Sequence, residues 1–400
     1  MAARSEWRIL LALWLMVFSA SSQVVIMAPI LPRIGATLGI AEVEQGSLIT
    51  AYAVMLSVMA LVAGPVSDRL GRRVILLAGS GAMSGALLLH GVAYSFAALL
   101  AVRALAGAAG GLLSGAAVSY VGDYFPYERR GWANGWVMSG IAFGQIVGIP
   151  AGTLLAGLAD FRWPFLMFGL TMALATLLIW RYVPQPPGVR SELPLSLRNV
   201  LRRYYELLRR PATARSPLVY FLMFFSIGLF LIYLPTWLER TQGFRTEEMA
   251  LLFLVGGLAN VVAGPLAGRL SDRVGRKPLI VGATLGLAVL MAGAPLLMQG
   301  DVAIFTLFAL AMALVGMRMS PLQSLLTALV PGARRGSLMS LSIALGQLGI
   351  GISGVAAGWL YTQYGYLSNA LLGALALVLM ALVVGYGLPE PDLRASVREG

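Results

Sequence analysis

Twelve apolar stretches, each about as long as a bilayer is thick, run through this 400-residue chain: 9–33, 45–66, 73–93, 96–121, 132–158, 163–183, 216–239, 247–268, 278–298, 302–329, 336–361 and 367–388. A helix needs about 20 mainly apolar residues to cross hydrocarbon. Lipid offers the backbone no partners, so such stretches become helices, and Pro29, Pro150 and Pro321 within them are tolerated where neighbouring helices re-bond the freed groups. Composition agrees: the chain is 58% hydrophobic and 12% charged, with mean hydropathy +0.82. A water-soluble fold of this size has no interior large enough for that. Ser19-Ala20-Ser21 imitates a signal-peptide cleavage site, but apolar character resumes from Val24 to Leu31. The stretch is read as an uncleaved first span.

The chain is also duplicated. Gly64-Pro65-Val66-Ser67-Asp68-Arg69-Leu70-Gly71-Arg72-Arg73 separates two spans, and Gly268-Arg269-Leu270-Ser271-Asp272-Arg273-Val274-Gly275-Arg276-Lys277 separates two others at an offset of 204 residues. Two copies of a six-span unit point to a transporter built from repeats. The expected organisation is all-α: a bundle over 1–183, a linker over 184–215 and a second bundle over 216–400. The linker carries a basic stretch with interleaved apolar residues, Leu197 to Arg210. It is either an amphipathic helix on the membrane surface or a solvated connection.

Charge sets the orientation. With the N-terminus in the cytoplasm, 23 of the 29 Lys and Arg residues fall inside, and four (Arg33, Arg162, Arg240 and Arg245) fall outside. This bias puts both termini in the cytoplasm of an inner (plasma) membrane. It also explains the net charge of +12 without nucleic acid. There are no cysteines and one histidine, His90, so disulfides, thiolate chemistry and a multi-histidine metal site are excluded. Neither metal nor cofactor is expected. Lys277 is the sole lysine and no phosphate-binding loop is present, which disfavours nucleotide-driven pumping. The spans hold no paired carboxylates and no clear Ser-His-acid set, so an enzyme is not expected. The expected partners are the bilayer and a small-molecule substrate, with the chain as a monomer.

The repeated signature resembles the loop motif of the major facilitator superfamily, and with twelve spans the resemblance covers nearly the whole chain. Arg103-Ala104-Leu105-Ala106-Gly107 is similar to the family's fourth-helix pattern. Gly140, Gly144, Gly148, Pro150 and Gly152 resemble its fifth-helix antiporter motif, with Gly-Ile-Pro replacing the usual Gly-Pro. Glycines four apart, there and at Gly107, Gly111 and Gly115, share one helix face and let another helix approach. Val25 to Pro32 looks like the first helix of drug- and sugar-efflux permeases. The resemblance implies alternating access and export of small organic molecules in exchange for protons. Import or facilitated passage of a sugar or anionic metabolite is the alternative.

The family pattern makes Gly64, Asp68, Arg69, Gly71 and Arg72, with Gly268, Asp272, Arg273, Gly275 and Arg276, an inside gate. Asp68 would cap the helix starting near Ser337, and Asp272 the one starting near Trp132. Arg72 would pair with Asp123; the second copy has Ala328 near the matching place. The same fold places Ser22, Gln23, Ser114, Tyr233, Ser320, Gln323 and Ser324 towards a central cavity, with Gln145, Asn260 and Gln347 nearby. Arg103 lies roughly 10 Å deep and Arg318 near the midplane. Both arginines are candidate substrate ligands, Arg318 for an anionic or carbonyl-rich group. No acid falls in mid-span, leaving Asp123 and Glu239 as the carboxylates for proton coupling. His90, near the end of the third span, is read as an interface histidine rather than a proton carrier.

Overall fold

A computed structural model describes residues 2–186, 197–330 and 332–389. Twelve of its helices are long and apolar enough to cross a membrane. Spans 1 to 6 are Glu6–Val25, Glu42–Ala63, Arg72–Val92, Phe96–Tyr124, Arg129–Leu158 and Arg162–Tyr182. Spans 7 to 12 are Thr213–Gln242, Thr246–Ser271, Arg276–Leu297, Asp301–Leu326, Ser337–Tyr364 and Tyr366–Gly387. No strand occurs among the described residues.

The duplication governs packing. In the first half span 2 packs on 4, 3 on 6, 1 on 6, 1 on 5 and 3 on 4. The second half repeats each pair six spans later: 8 on 10, 9 on 12, 7 on 12, 7 on 11 and 9 on 10. The signature ends its helix identically in both copies. Gly71 (φ +101°) follows Ser47–Leu70, and Gly275 (φ +97°) follows Thr246–Val274. Each donates its N–H to a serine carbonyl four residues back, Ser67 at 2.9 Å and Ser271 at 3.0 Å. A side chain at either φ would be strained, so glycine is what turns the chain at both places.

Among the interrupted spans are three of the first half. The first breaks at Ile26, between helices Ala2–Val25 and Met27–Leu38. Pro29 has no N–H, so the Val25 carbonyl loses its i+4 partner there. Span 5 passes through a π-helical turn, Gly144–Gly148, immediately before Pro150. Such turns absorb the mismatch a proline imposes. Span 4 breaks at Ser114–Gly115, with Gly115 at φ +74° and no neighbour near its Cβ position. Gly107 and Gly111 do sit against span 2, where added side chains would meet the Tyr52 and Leu56 carbonyls. Gly115, spaced like them, is instead the break.

The linker forms helix Leu197–Leu208. It does not simply lie on a membrane surface. The Tyr204 hydroxyl donates to the Leu61 carbonyl of span 2 at 3.3 Å, and Leu207 packs with Val330, just past span 10, and with Leu338 at the start of span 11. It therefore bridges both halves at one end of the bundle, called here the linker end.

Candidate functional site

Among the described residues the two halves pack closely at the end opposite the linker. Span 2 lies along span 11 so closely that a Cβ on Gly46 or Gly354 would collide with the other's backbone. Thr50 Oγ1 donates to the Gly351 carbonyl, and Ser57 Oγ donates to that of Ala344 at 2.8 Å. Tyr233 adds a crossing bond: its hydroxyl accepts the Gly46 N–H at 3.1 Å and donates to the Glu42 carbonyl. Arg33 donates to Thr246, tying the first half to the start of span 8.

Below this closure lies a cavity of about 670 Å³, in the half of the bundle nearer the linker end. Met16, Ser21, Tyr52, Ser114, Asn134 and Met138 belong to its first-half wall; Gln323, Ile343 and Gln347 come from the second half. The broken helix contributes Leu113 to Gly115. No described lining residue is acidic or basic, and apolar surface dominates. Amides and hydroxyls supply a few directional bonds, and methionines adapt to varied apolar shapes.

The two intramembrane arginines stand outside this wall. Arg103 is 1% exposed. Its Nη1 donates to Gln23 Oε1 at 2.9 Å, and Gln23 Nε2 donates to the Tyr52 hydroxyl at 3.0 Å. The guanidinium sits 4.5 Å from the Tyr52 ring centroid. Of the three, only Tyr52 lines the cavity. Arg103 thus holds the wall in place instead of touching its contents. Counting by the repeat, Gln23 and Tyr52 correspond to Ile227 and Gly256. The polar cluster belongs to the first half alone. Arg318 is also 1% exposed, on the face of span 10 shared with fully buried Leu322 and Leu325. Its Nε and Nη1 have no hydrogen-bond partner among the described residues. Arg318 is thus buried and is not among the residues that line this cavity.

Of the remaining expected ligands, Gln323 and Gln347 line the cavity. Tyr233 serves the opposite-end closure, and Asn260 Nδ2 donates to the Met312 carbonyl at 3.0 Å, bracing span 8 on span 10. Gln145 lies where span 5 passes Gly257 of span 8. Ser22 donates to the Phe18 carbonyl at 2.7 Å. His90 is fully buried, with Nδ1 2.9 Å from the Ala86 carbonyl and its ring stacked on Phe165 at 4.1 Å, as an interface histidine. Sequence reasoning missed Tyr52, Ser21 and Asn134, which carry no charge or motif to mark them.

At the linker end Arg72 Nε meets Asp123 Oδ2 at 2.6 Å, the expected pair, and Nη1 donates to Ser67 Oγ at 3.0 Å. In the second copy Arg276 Nη1 donates to the Ser324 carbonyl at 3.4 Å. The negative end of span 10 stands where the acid is missing. Arg69 and Arg273 are exposed. The side chains of Gly64's neighbour Pro65, of Asp68 and of Asp272 lie outside the described residues, as do the tip at Arg335 and Gly64 itself. Gly268 approaches Ser320 of span 10. Gly140, Gly144, Gly148 and Gly152 all face span 1, against Trp14, Phe18, Ser22 and Ile26. The antiporter-like stripe is thus a packing seam within one half.

The family model of the Major Facilitator Superfamily matches residues 13–309 and 218–399. The chain belongs to the major facilitator superfamily. Among similar proteins of this superfamily is the uncharacterized MFS-type transporter YceJ of Bacillus subtilis (strain 168), 27% identical over 398 residues, covering 96% of this chain and 99% of the relative. Multidrug resistance protein MdtG of Yersinia enterocolitica is 24% identical over 404 residues, covering 98% and 95%. A solved D-xylose-proton symporter superposes with a TM-score of 0.77 over 96% of this chain and 98% of its own, at 19% identity. That likeness establishes the shared major facilitator fold. The chain is a multi-pass membrane protein of a transporter family, and these relatives are transporters, not enzymes.

Proposed function

We propose that this protein exports small, uncharged or weakly polar organic molecules by alternating access, in exchange for protons, with its linker end in the cytoplasm. The observation that carries this reading is the cavity. It lies between the halves, is capped at one end, and is lined by apolar groups, hydroxyls and amides with no described acid or base. An anionic substrate would need a cation in the wall, and neither buried arginine lines it. Similarity to multidrug resistance protein MdtG supports the export direction. Proton exchange is the coupling implied by the resemblance of Gly140 to Gly152 to the antiporter motif. The carboxylates available are Asp123, held by Arg72, and Glu239 at the opposite end.

The test is flux in proteoliposomes. Uncharged amphipathic dyes and sugars would be offered at equal concentration, with a pH gradient imposed in either direction. The expected result is dye accumulation in inverted vesicles that are acidic inside, with little sugar uptake. Gradient-independent sugar flux, or preference for organic anions, contradicts the reading.

A further inference from the structure

A second polar hollow lies at the end opposite the linker, where the halves are closed on each other. It measures about 340 Å³ and is lined by Glu42 and Gln45 from the first half and by Thr236, Glu239 and Arg240 from the second. Two of its walls are unsatisfied. Gln45 is 4% exposed and Thr236 is 3% exposed, and Gln45 Oε1 and Thr236 Oγ1 have no hydrogen-bond partner among the described residues. Gln45 Nε2 donates to the Ile40 carbonyl at 3.2 Å. That bond fixes the amide so that its oxygen is the free end. Buried polar atoms without partners are uncommon in folded proteins, and a bound water or ion is what usually satisfies them.

The charges have the same sense. Glu42 is paired with Arg240. Glu239 enters no ion pair among the described residues, so the hollow holds two carboxylates against one guanidinium. On the far side of Glu239, in an adjoining hollow of about 400 Å³, lie Arg33 and Arg245. Arg33 donates to Thr246, and Arg245 is paired with Glu248 at 3.2 Å. An anion placed in the first hollow would meet the Gln45 carbonyl oxygen and the Glu239 carboxylate, with only the Thr236 hydroxyl able to donate to it. A cation would satisfy all three.

We infer that Gln45, Thr236 and Glu239 form a site for a monovalent cation, a bare alkali ion or a protonated amine, at the closed end of the transporter. A divalent ion is disfavoured because the hollow carries one excess negative charge. The ligands come from both halves, so the site is complete only while this end is shut. A ligand that binds one state alone shifts the population towards it. The cation therefore acts as a bolt on this gate. The inference rests on the closed interface and not on the identity of the transported molecule.

The test is the melting temperature of the purified full-length protein, measured as Na⁺, K⁺ or methylammonium replaces N-methyl-D-glucamine at fixed ionic strength. Binding to the folded state raises apparent stability in a saturable way. The expected result is a saturable rise with at least one of the three probes. Response to an alkali ion alone identifies a metal-ion site, and response to methylammonium an amine site. Thr236→Val preserves shape, Glu239→Gln alters an exposed position, and each should lose the cation response while still melting cooperatively. No response in the wild type, or an equal response in both variants, overturns the inference. Neither result depends on transport, so failure here leaves the proposed export reading standing, and failed export leaves this one standing.

Discussion

Tyr52 is where the chemistry of single residues decides the cavity wall. Its ring lies under the Arg103 guanidinium and its hydroxyl is held by Gln23. Lysine cannot supply both the planar stack and the directed bond to Gln23. Arg103→Lys is expected to lower stability by about 1–2 kcal/mol, the range of a desolvated cation–π contact with a hydrogen bond. Tyr52→Phe keeps the ring and should cost about 1 kcal/mol. Melting temperature and dye affinity on the same preparations check both, and weaker dye binding should accompany Arg103→Lys although Arg103 does not line the cavity. Arg318 is expected to behave differently. A buried charge without an ionic partner carries a desolvation cost that an apolar side chain of similar size avoids. Arg318→Met should therefore melt no lower than wild type and keep its dye affinity; a tenfold affinity loss in stable protein would place the cation at the substrate. Both arginines were legible in the sequence because a charge in an apolar run stands out. Their orientation was not, because neighbouring helices decide which side of a helix faces a cavity. Tyr52 was invisible for the opposite reason: one aromatic among apolar residues looks like core.

Among the elements, the interrupted helices show how far spacing carries. Gly107, Gly111 and Gly115 share a period, and the first two pack on span 2 as that period implies. Gly115 breaks the helix instead. Periodicity reports a shared face only while the helix continues. The signature was far more legible, since Gly71 and Gly275 adopt the same positive φ for the same turn. Its first copy carries the expected Arg72–Asp123 pair, partly open to solvent. Asp123→Asn should lower stability by no more than about 1 kcal/mol, with a larger effect on transport rate than on substrate affinity, as stopped-flow flux would show. The linker helix was legible as amphipathic, but its docking partners were not. Leu207 is 2% exposed against Val330 and Leu338. Leu207→Ala is expected to cost about 2–3 kcal/mol at that contact and to speed proteolysis of the linker.

For the molecule as a whole, the duplication at an offset of 204 residues was enough to anticipate two matching bundles, and each helix pair of the first recurs in the second. What duplication leaves open is how the bundles lean on each other. Gly46 and Gly354 settle it here, because only bare backbone lets spans 2 and 11 approach so closely. Gly354→Val should hold the opposite end apart and abolish transport while the halves stay folded. The central claim is that opening alternates between the two ends. The chain has no cysteine, so spin labels can be placed in pairs without background. Exposed Leu70 and Val274 report on the linker end; exposed Tyr94 and Val302 report on the other. Measured by pulsed electron resonance with and without transported dye, the two distances should change in opposite senses, one population lengthening as the other shortens. Two distances that lengthen together, or that stay fixed while dye is being transported, would contradict alternating access.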